Sequence, residues 1–278
     1  MRSTKRVGAS WVRRRTRWYT MDAVSAWIAL QTSDRREARV ALFLALLLGH
    51  LLGDFVFQPG RLVAAKRHSN RGVLLHTGIV TACTAIVLLG DIARMWPAVL
   101  LSGAAHIGIE YLTIRARKMM EASGLELFLL DQALHVVSLV ILAVCLGGAS
   151  RPFIATWPVT ITVLAASCGL VAVMFFSSIL AFEVRTAALG AADSTPTGPI
   201  LGMDAARVFG FAERGIALGI GLVAPIPVLG VVAFVPRVVF ALTRSSAGRA
   251  QHMSDAAIGL LTCALAWLLI VAVSATSL

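Results

Sequence analysis

Three pairs of one histidine and one carboxylate, each pair four residues apart, are the part of the sequence best suited to chemistry. The pairs are His50 with Asp54, His106 with Glu110, and Asp131 with His135. On an α-helix, residues four positions apart lie on one face, about 6 Å apart along the axis. Each pair can therefore point two donor atoms the same way, as helix bundles do around a buried metal ion.

His76 adds a fourth histidine within another apolar segment. The candidate metal ligands are then His50, Asp54, His76, His106, Glu110, Asp131 and His135. This set exceeds what one tetrahedral zinc ion needs, so the surplus predicts either a second metal or carboxylates that orient ligating imidazoles. Nitrogen and oxygen donors without cysteine favour a divalent zinc, iron or manganese ion, and do not select among them.

The same constellation fits several functions. In a hydrolase acting on a lipid-linked substrate, a metal-bound water would be the nucleophile, and one free carboxylate among Asp54, Glu110 and Asp131 would be the catalytic base. A transporter or channel would move a metal ion or protons through the same groups without catalysis. An accessory membrane protein would use the metal structurally. Without any metal, the pairs would be hydrogen bonds that fix helix packing.

The candidate ligands lie in apolar segments long enough to cross a membrane. The 278-residue chain is 58% hydrophobic and 14% charged, whereas soluble domains carry about 25% charged residues. Apolar runs of about 20 residues suffice for a hydrocarbon core of ~30 Å. We therefore expect an all-α, polytopic transmembrane helix bundle. Its eight predicted spans are approximately 39–57, 73–91, 95–114, 125–147, 159–182, 205–224, 227–243 and 255–275.

The predicted organisation is a basic tail over residues 1–38 and a single integral-membrane domain over residues 39–275. A polar segment, 187–202, divides this domain into a front group, 39–182, and a back group, 205–275. Lysine and arginine cluster after the first, third and seventh spans, which places those loops in the cytoplasm by the positive-inside rule. The basic tail then falls on the opposite side. Either the start at Met1 is misassigned, or the first apolar run is re-entrant.

Four more polar residues within the spans are candidate site residues. Gln132 can hydrogen-bond to the front cluster, although helix packing explains it equally well. Glu213 and Arg214 are neighbours that point about 100° apart, so each needs another partner. Arg237 on the next span can neutralise Glu213. We expect these residues to form either a structural ion pair or a site for an anionic headgroup.

The formal net charge of +11 does not indicate a nucleic-acid-binding protein. The basic residues are concentrated before residue 40 and in short loops, with few aromatic residues among them, unlike a folded nucleic-acid surface. Membrane lipids with anionic headgroups are the expected partners.

Several segments resemble a known family. HLLGDFVFQ, KRHSNRGVLLH, HIGIE, LLDQALH and FAERG resemble a bacterial membrane-protein family called domain of unknown function 3307. The resemblance spans most of residues 40–275, and implies a multi-pass protein of the bacterial cytoplasmic membrane without an established activity. Glu110 stands where the family usually carries aspartate. The spacing of histidines is also faintly similar to that of inner-membrane metal-dependent hydrolases.

Overall fold

The computed structural model describes residues 35–119, 124–147, 161–188, 205–224 and 226–275. Nearly all of the predicted basic tail, most of the polar segment 187–202, and Pro225 lie outside these residues. The described part of the chain is helical and contains no strand. The all-α class predicted from the sequence is confirmed.

Nine helices are described. They are α1 (Arg35–Val56), α2 (Gly60–His68), α3 (Asn70–Val87), α4 (Ile92–Met119), α5 (Gly124–Leu146), α6 (Ile161–Ala188), α7 (Ala205–Val223), α8 (Val235–Leu242) and α9 (Ser246–Ala275). A 3₁₀ turn, Leu89–Asp91, precedes α4, and a 3₁₀ segment, Pro227–Phe234, precedes α8.

Five of these helices are long and apolar enough to cross a membrane, which indicates a membrane protein. They are α1, α4 with its 3₁₀ turn, α5, α6 and the Gly248–Ala275 part of α9. The predicted count of eight spans is not confirmed. Helix α3 begins with Asn70 and Arg71, α7 includes Glu213 and Arg214, and the predicted seventh span is a 3₁₀ segment followed by the short α8.

Two glycines on α1 allow this helix to lie directly against α3. A Cβ atom added to Gly49 would lie 2.5 Å from Cα of Thr84, and one added to Gly53 would lie 2.5 Å from Cα of Val80. Both distances are far below van der Waals contact, so the absence of side chains sets the distance between the helices. The same contact brings the polar residues of α1 and α3 together.

A π-helical turn in α1 and another in α6 connect the front helices to the rest of the bundle. The turns are Leu52–Val56 and Ala172–Phe176, and they are in contact. The ring of Phe55 meets that of Phe176 edge to face at 5.7 Å. Because π-turns occur frequently at functional sites, the turn in α1 indicates that the residues around it belong to such a site.

The back helices pack around α6. Helix α9 contacts α6, α7 and α8, and α7 packs against the 3₁₀ segment Pro227–Phe234. Large apolar side chains such as Leu100, Ile141 and Leu265 are exposed on the outside of α4, α5 and α9. An outer surface of this kind is suited to contact with lipid chains.

Candidate metal centre

Helices α1, α3, α4 and α5 bring all seven predicted ligands into one interior cluster. Six of them are buried, namely His50, Asp54, His76, His106, Glu110 and His135. The Asp131 side chain retains 19% of its accessible surface. Asp54 belongs to the π-turn of α1, so its helix departs from the regular spacing that the sequence predicts.

The first group of donors has His76 at its centre. Its Nε2 lies 2.8 Å from Oδ1 of Asp54, 3.2 Å from Oε1 of Glu110 and 3.0 Å from Nε2 of His106. Nε2 of His106 is 4.0 Å from the same oxygen of Asp54 and 3.8 Å from that of Glu110. One donor atom from each of these four residues fits within a 4.8 Å range.

Gln58 fixes which nitrogen of His76 faces this group. Its amide is satisfied when the nitrogen donates to the backbone oxygen of Asp54 at 2.8 Å and the oxygen accepts from Nδ1 of His76 at 3.1 Å. This assignment follows from the hydrogen-bond network. Nδ1 then carries the proton, and Nε2 presents a lone pair to the carboxylates. Lone pairs this close repel one another unless a proton or a cation lies between them.

A second group of donors adjoins the first. It combines His50, His106 and His135, whose ring nitrogens also fall within 4.8 Å of one another. The rings of His106 and His135 are stacked at 4.4 Å, and that of His50 lies 4.6 Å from that of His135. Nε2 of His50, Nε2 of His135 and Oδ1 of Asp54 are buried and have no hydrogen-bond partner within the described segments.

Asp131 and Gln132 lie at the partly exposed edge of the cluster. Oδ1 of Asp131 is 3.7 Å from Nε2 of His135. The amide nitrogen of Gln132 donates to Oδ2 of Asp131 at 2.9 Å and to Oδ2 of Asp54 at 3.3 Å. Gln132 therefore links the carboxylates of two helices, and Asp131 is the most exposed of the seven donors.

Lys66 of α2 reaches the cluster from outside the long helices. Its Nζ donates to Oε1 of Glu110 at 2.6 Å, and the side chain is 17% exposed. Burial alone would lower the pKa of Lys66, but the carboxylates of Asp54 and Glu110 raise it above its usual value. The ammonium therefore stays charged and neutralises part of the negative charge of the donors.

The sequence after α2 explains how Lys66 is held there. The hydroxyl of Ser69 caps α3 by accepting from the backbone N–H of Gly72 at 3.0 Å. A Cβ on Gly72 would lie 2.5 Å from the oxygen of Ala65 and 2.6 Å from the nitrogen of Lys66. Only glycine allows the start of α3 to pack so closely on the end of α2.

The part of the chain that resembles a known family is the front region that contains these donors. Residues 42–164 match the model of a family described as Protein of unknown function (DUF3307). Residues 42–164 of this chain are therefore similar to this family. The matched residues include all seven donors, Gln58 and Lys66, which lie between positions 50 and 135. A search of curated proteins and a search of solved structures gave no match.

The matched region also holds a residue that the sequence pattern does not point to. Lys66 is one of the basic residues after the first predicted span, where a loop is expected, whereas it belongs to a helix and contacts Glu110. Its neighbours His68 and Asn70 are exposed. The proline at position 59, directly before α2, is the one local signal that a new helix begins there. The predicted back-group residues Glu213, Arg214 and Arg237 are buried together, away from the front cluster.

Proposed function

We propose that the front helices bind a divalent metal ion through Asp54, His76, His106 and Glu110. The observation that carries the proposal is the spacing of their donor atoms. Tetrahedral ligands at 2.0–2.1 Å from an ion are roughly 3.4 Å from one another. The separations around His76 and His106 run from 2.8 to 4.0 Å and bracket that value.

The tautomer of His76 supports the same proposal. Ligating histidines generally donate their second ring nitrogen to an acceptor that fixes the ring, and Gln58 is such an acceptor. Zinc, iron and manganese all accept nitrogen and carboxylate donors, so the metal stays among these three.

We assign His50 and His135 to a neighbouring position, for a second ion or for the reacting groups. With Asp54 and Glu110 as ligands, Asp131 is the carboxylate left to act as a base. Its partly exposed position suits that role, because a base must reach a substrate that enters from outside. A bound divalent ion would supply a water acidic enough to ionise near neutral pH.

The reaction we propose is hydrolysis of a lipid-linked substrate with an anionic group. Lys66 supports this choice, since its ammonium attracts an anion to the edge of the cluster and opposes the passage of free cations. The surrounding apolar surface suits a substrate anchored in the bilayer. We place the protein in the bacterial cytoplasmic membrane as a single multi-pass domain over residues 39–275, with a front group, 39–182, and a back group, 205–275.

The test is hydrolysis by the full chain in liposomes after loading with zinc, iron or manganese. Release of phosphate from a panel of phosphate-bearing lipids is measured. We expect Asp131→Asn to lower kcat by about 10²–10⁴-fold with the metal retained. Asp91→Asn makes the same chemical change outside the cluster and is expected to leave kcat unchanged. Metal uptake into the liposomes without hydrolysis, abolished by Asp131→Asn, would support a transporter instead.

A further inference from the structure

A second cluster of charged side chains lies among the back helices, apart from the proposed metal centre. It contains three arginines and two carboxylates, namely Arg185 of α6, Glu213 and Arg214 of α7, Arg237 of α8 and Asp255 of α9. The cluster thus holds one positive charge more than its carboxylates neutralise.

Two of the arginines form ion pairs with the two carboxylates. Nε of Arg237 donates to Oε2 of Glu213 at 2.6 Å, and its Nη1 lies 3.5 Å from Oδ2 of Asp255. Arg185 donates to the other oxygen of Asp255. These contacts give Arg185 and Arg237 their counter-ions.

Arg214 has no such counter-ion in the part of the chain that the structure describes. Among the described residues, no carboxylate oxygen lies within ion-pair distance of its guanidinium group. Nη1 donates to the hydroxyl of Ser178 and to the backbone oxygen of Met174, both neutral acceptors. Its Nε is buried and has no hydrogen-bond partner among these residues, and Arg214 is only 4% exposed. A buried cation in this state is costly unless an anion joins it.

The guanidinium groups of Arg214 and Arg237 converge beside Gly210. Their Nη2 atoms lie 3.4 and 3.2 Å from the position that a Cβ on this residue would occupy. Because Gly210 has no side chain, the position between the two guanidinium groups is not filled by a Cβ atom. Guanidinium forks bind the oxygens of phosphate groups in pairs, through charge-assisted hydrogen bonds.

We infer that Arg214 and Arg237 bind a phosphate group between the back helices. The negative charge of this group balances the charge excess, and its oxygens accept from the guanidinium donors. The group belongs either to an anionic lipid headgroup or to free phosphate. The inference does not rest on the proposed metal centre.

The test uses the full chain, purified in neutral detergent, freed of lipid and kept in chelator so that metal at the front helices does not contribute. The unfolding midpoint is measured in sodium phosphate against sodium chloride at equal ionic strength. In a second arm, micelles with phosphatidylglycerol are compared with micelles with phosphatidylcholine. We expect a rise of several degrees in at least one arm, because a ligand that binds only the folded state stabilises it.

The two arms identify the source of the phosphate group. A rise with inorganic phosphate indicates free phosphate, and a rise only with phosphatidylglycerol indicates a headgroup. Arg214→Gln is expected to abolish the rise, and Arg94→Gln, which removes an exposed arginine of α4, is expected to keep it. A wild-type protein that responds in neither arm, or an Arg214→Gln protein that still responds, overturns the inference. If Arg214→Gln does not fold, the wild-type arms decide.

Discussion

Nε2 of His76 lies 2.8 Å from Oδ1 of Asp54, next to the close contact that Gly53 of α1 makes with Val80 of α3. The two residues come from helices that contact each other through glycine, so the cluster depends on this helix contact. Helix packing and the donor geometry should therefore respond to the same substitutions.

Gly53→Ala is expected to destabilise the protein. The new methyl group would meet the backbone of Val80 at 2.5 Å, so α1 and α3 must move apart. Overpacking of this kind costs about 1–3 kcal/mol. Gly78→Ala is the control, because a Cβ there has nothing within 4 Å and a helical alanine gains up to about 1 kcal/mol over glycine. Thermal unfolding of both variants checks this, and equal midpoints would contradict the packing account.

Gln58→Leu is expected to weaken metal binding by about 10- to 100-fold while the four ligands stay in place. The amide oxygen accepts from Nδ1 of His76 and so keeps Nε2 free for the ion. Competition with a chromophoric chelator measures the affinity. Gln251→Leu, at an exposed position of α9, is the control. Wild-type affinity in the Gln58 variant would show that the tautomer is set in another way.

Lys66→Gln is expected to destabilise the metal-free protein by on the order of 3 kcal/mol, since Glu110 would lose its buried partner. The same change should raise metal affinity about tenfold, because the ammonium competes with the ion for Glu110. Arg61→Gln, at an exposed position of α2, should alter neither quantity. Unchanged affinity in Lys66→Gln would argue against an ion beside Glu110.

The pH dependence of the Lys66 contribution follows from its raised pKa. A base with a raised folded-state pKa stabilises the fold fully below its unfolded value, near 10.5 here, and loses this effect as pH rises through the folded value. The difference in unfolding free energy between wild type and Lys66→Gln should therefore be constant between about pH 7 and 9. Urea unfolding at several pH values measures it. A difference that disappears within this range would contradict the assignment.

The sequence predicts how donors pair within each helix. A histidine and a carboxylate four residues apart share a helix face, so the three pairs needed no tertiary information. Lys66 could not be found this way, because its contact with Glu110 joins residues 44 positions apart. A lysine at this position is also explained by the positive-inside rule, as a residue of a cytoplasmic loop.

The number of spans is difficult to predict for a related physical reason. The apolar residues of α7 predict a membrane span, although the helix also carries the buried charges of Glu213 and Arg214. These charges need partners on other helices, and the sequence does not identify those partners. Glycine spacing is ambiguous in the same way. Gly49 and Gly53 pack against α3, whereas Gly219 has the same spacing from Gly215 and a Cβ added there would meet nothing within 4 Å.

Acidification is expected to release the metal. Imidazole must be neutral to ligate, and its ordinary pKa is about 6.5, so protons compete with the ion for His76 and His106 as the pH falls. The metal-dependent rise in unfolding midpoint should shrink progressively below about pH 6.5 and be largest above neutrality. A rise that stays constant down to pH 5 would exclude histidine ligands.

The most direct test of the account is the metal content of the full chain, measured by elemental mass spectrometry after loading with zinc, iron or manganese and extensive dialysis. We predict at least one tightly bound divalent ion per chain in the wild type and in His68→Ala, whose histidine is exposed. We predict loss of the ion in His76→Ala and His106→Ala. A wild-type chain that retains none of the three metals, or a folded His106→Ala chain that retains as much as the wild type, would contradict the account.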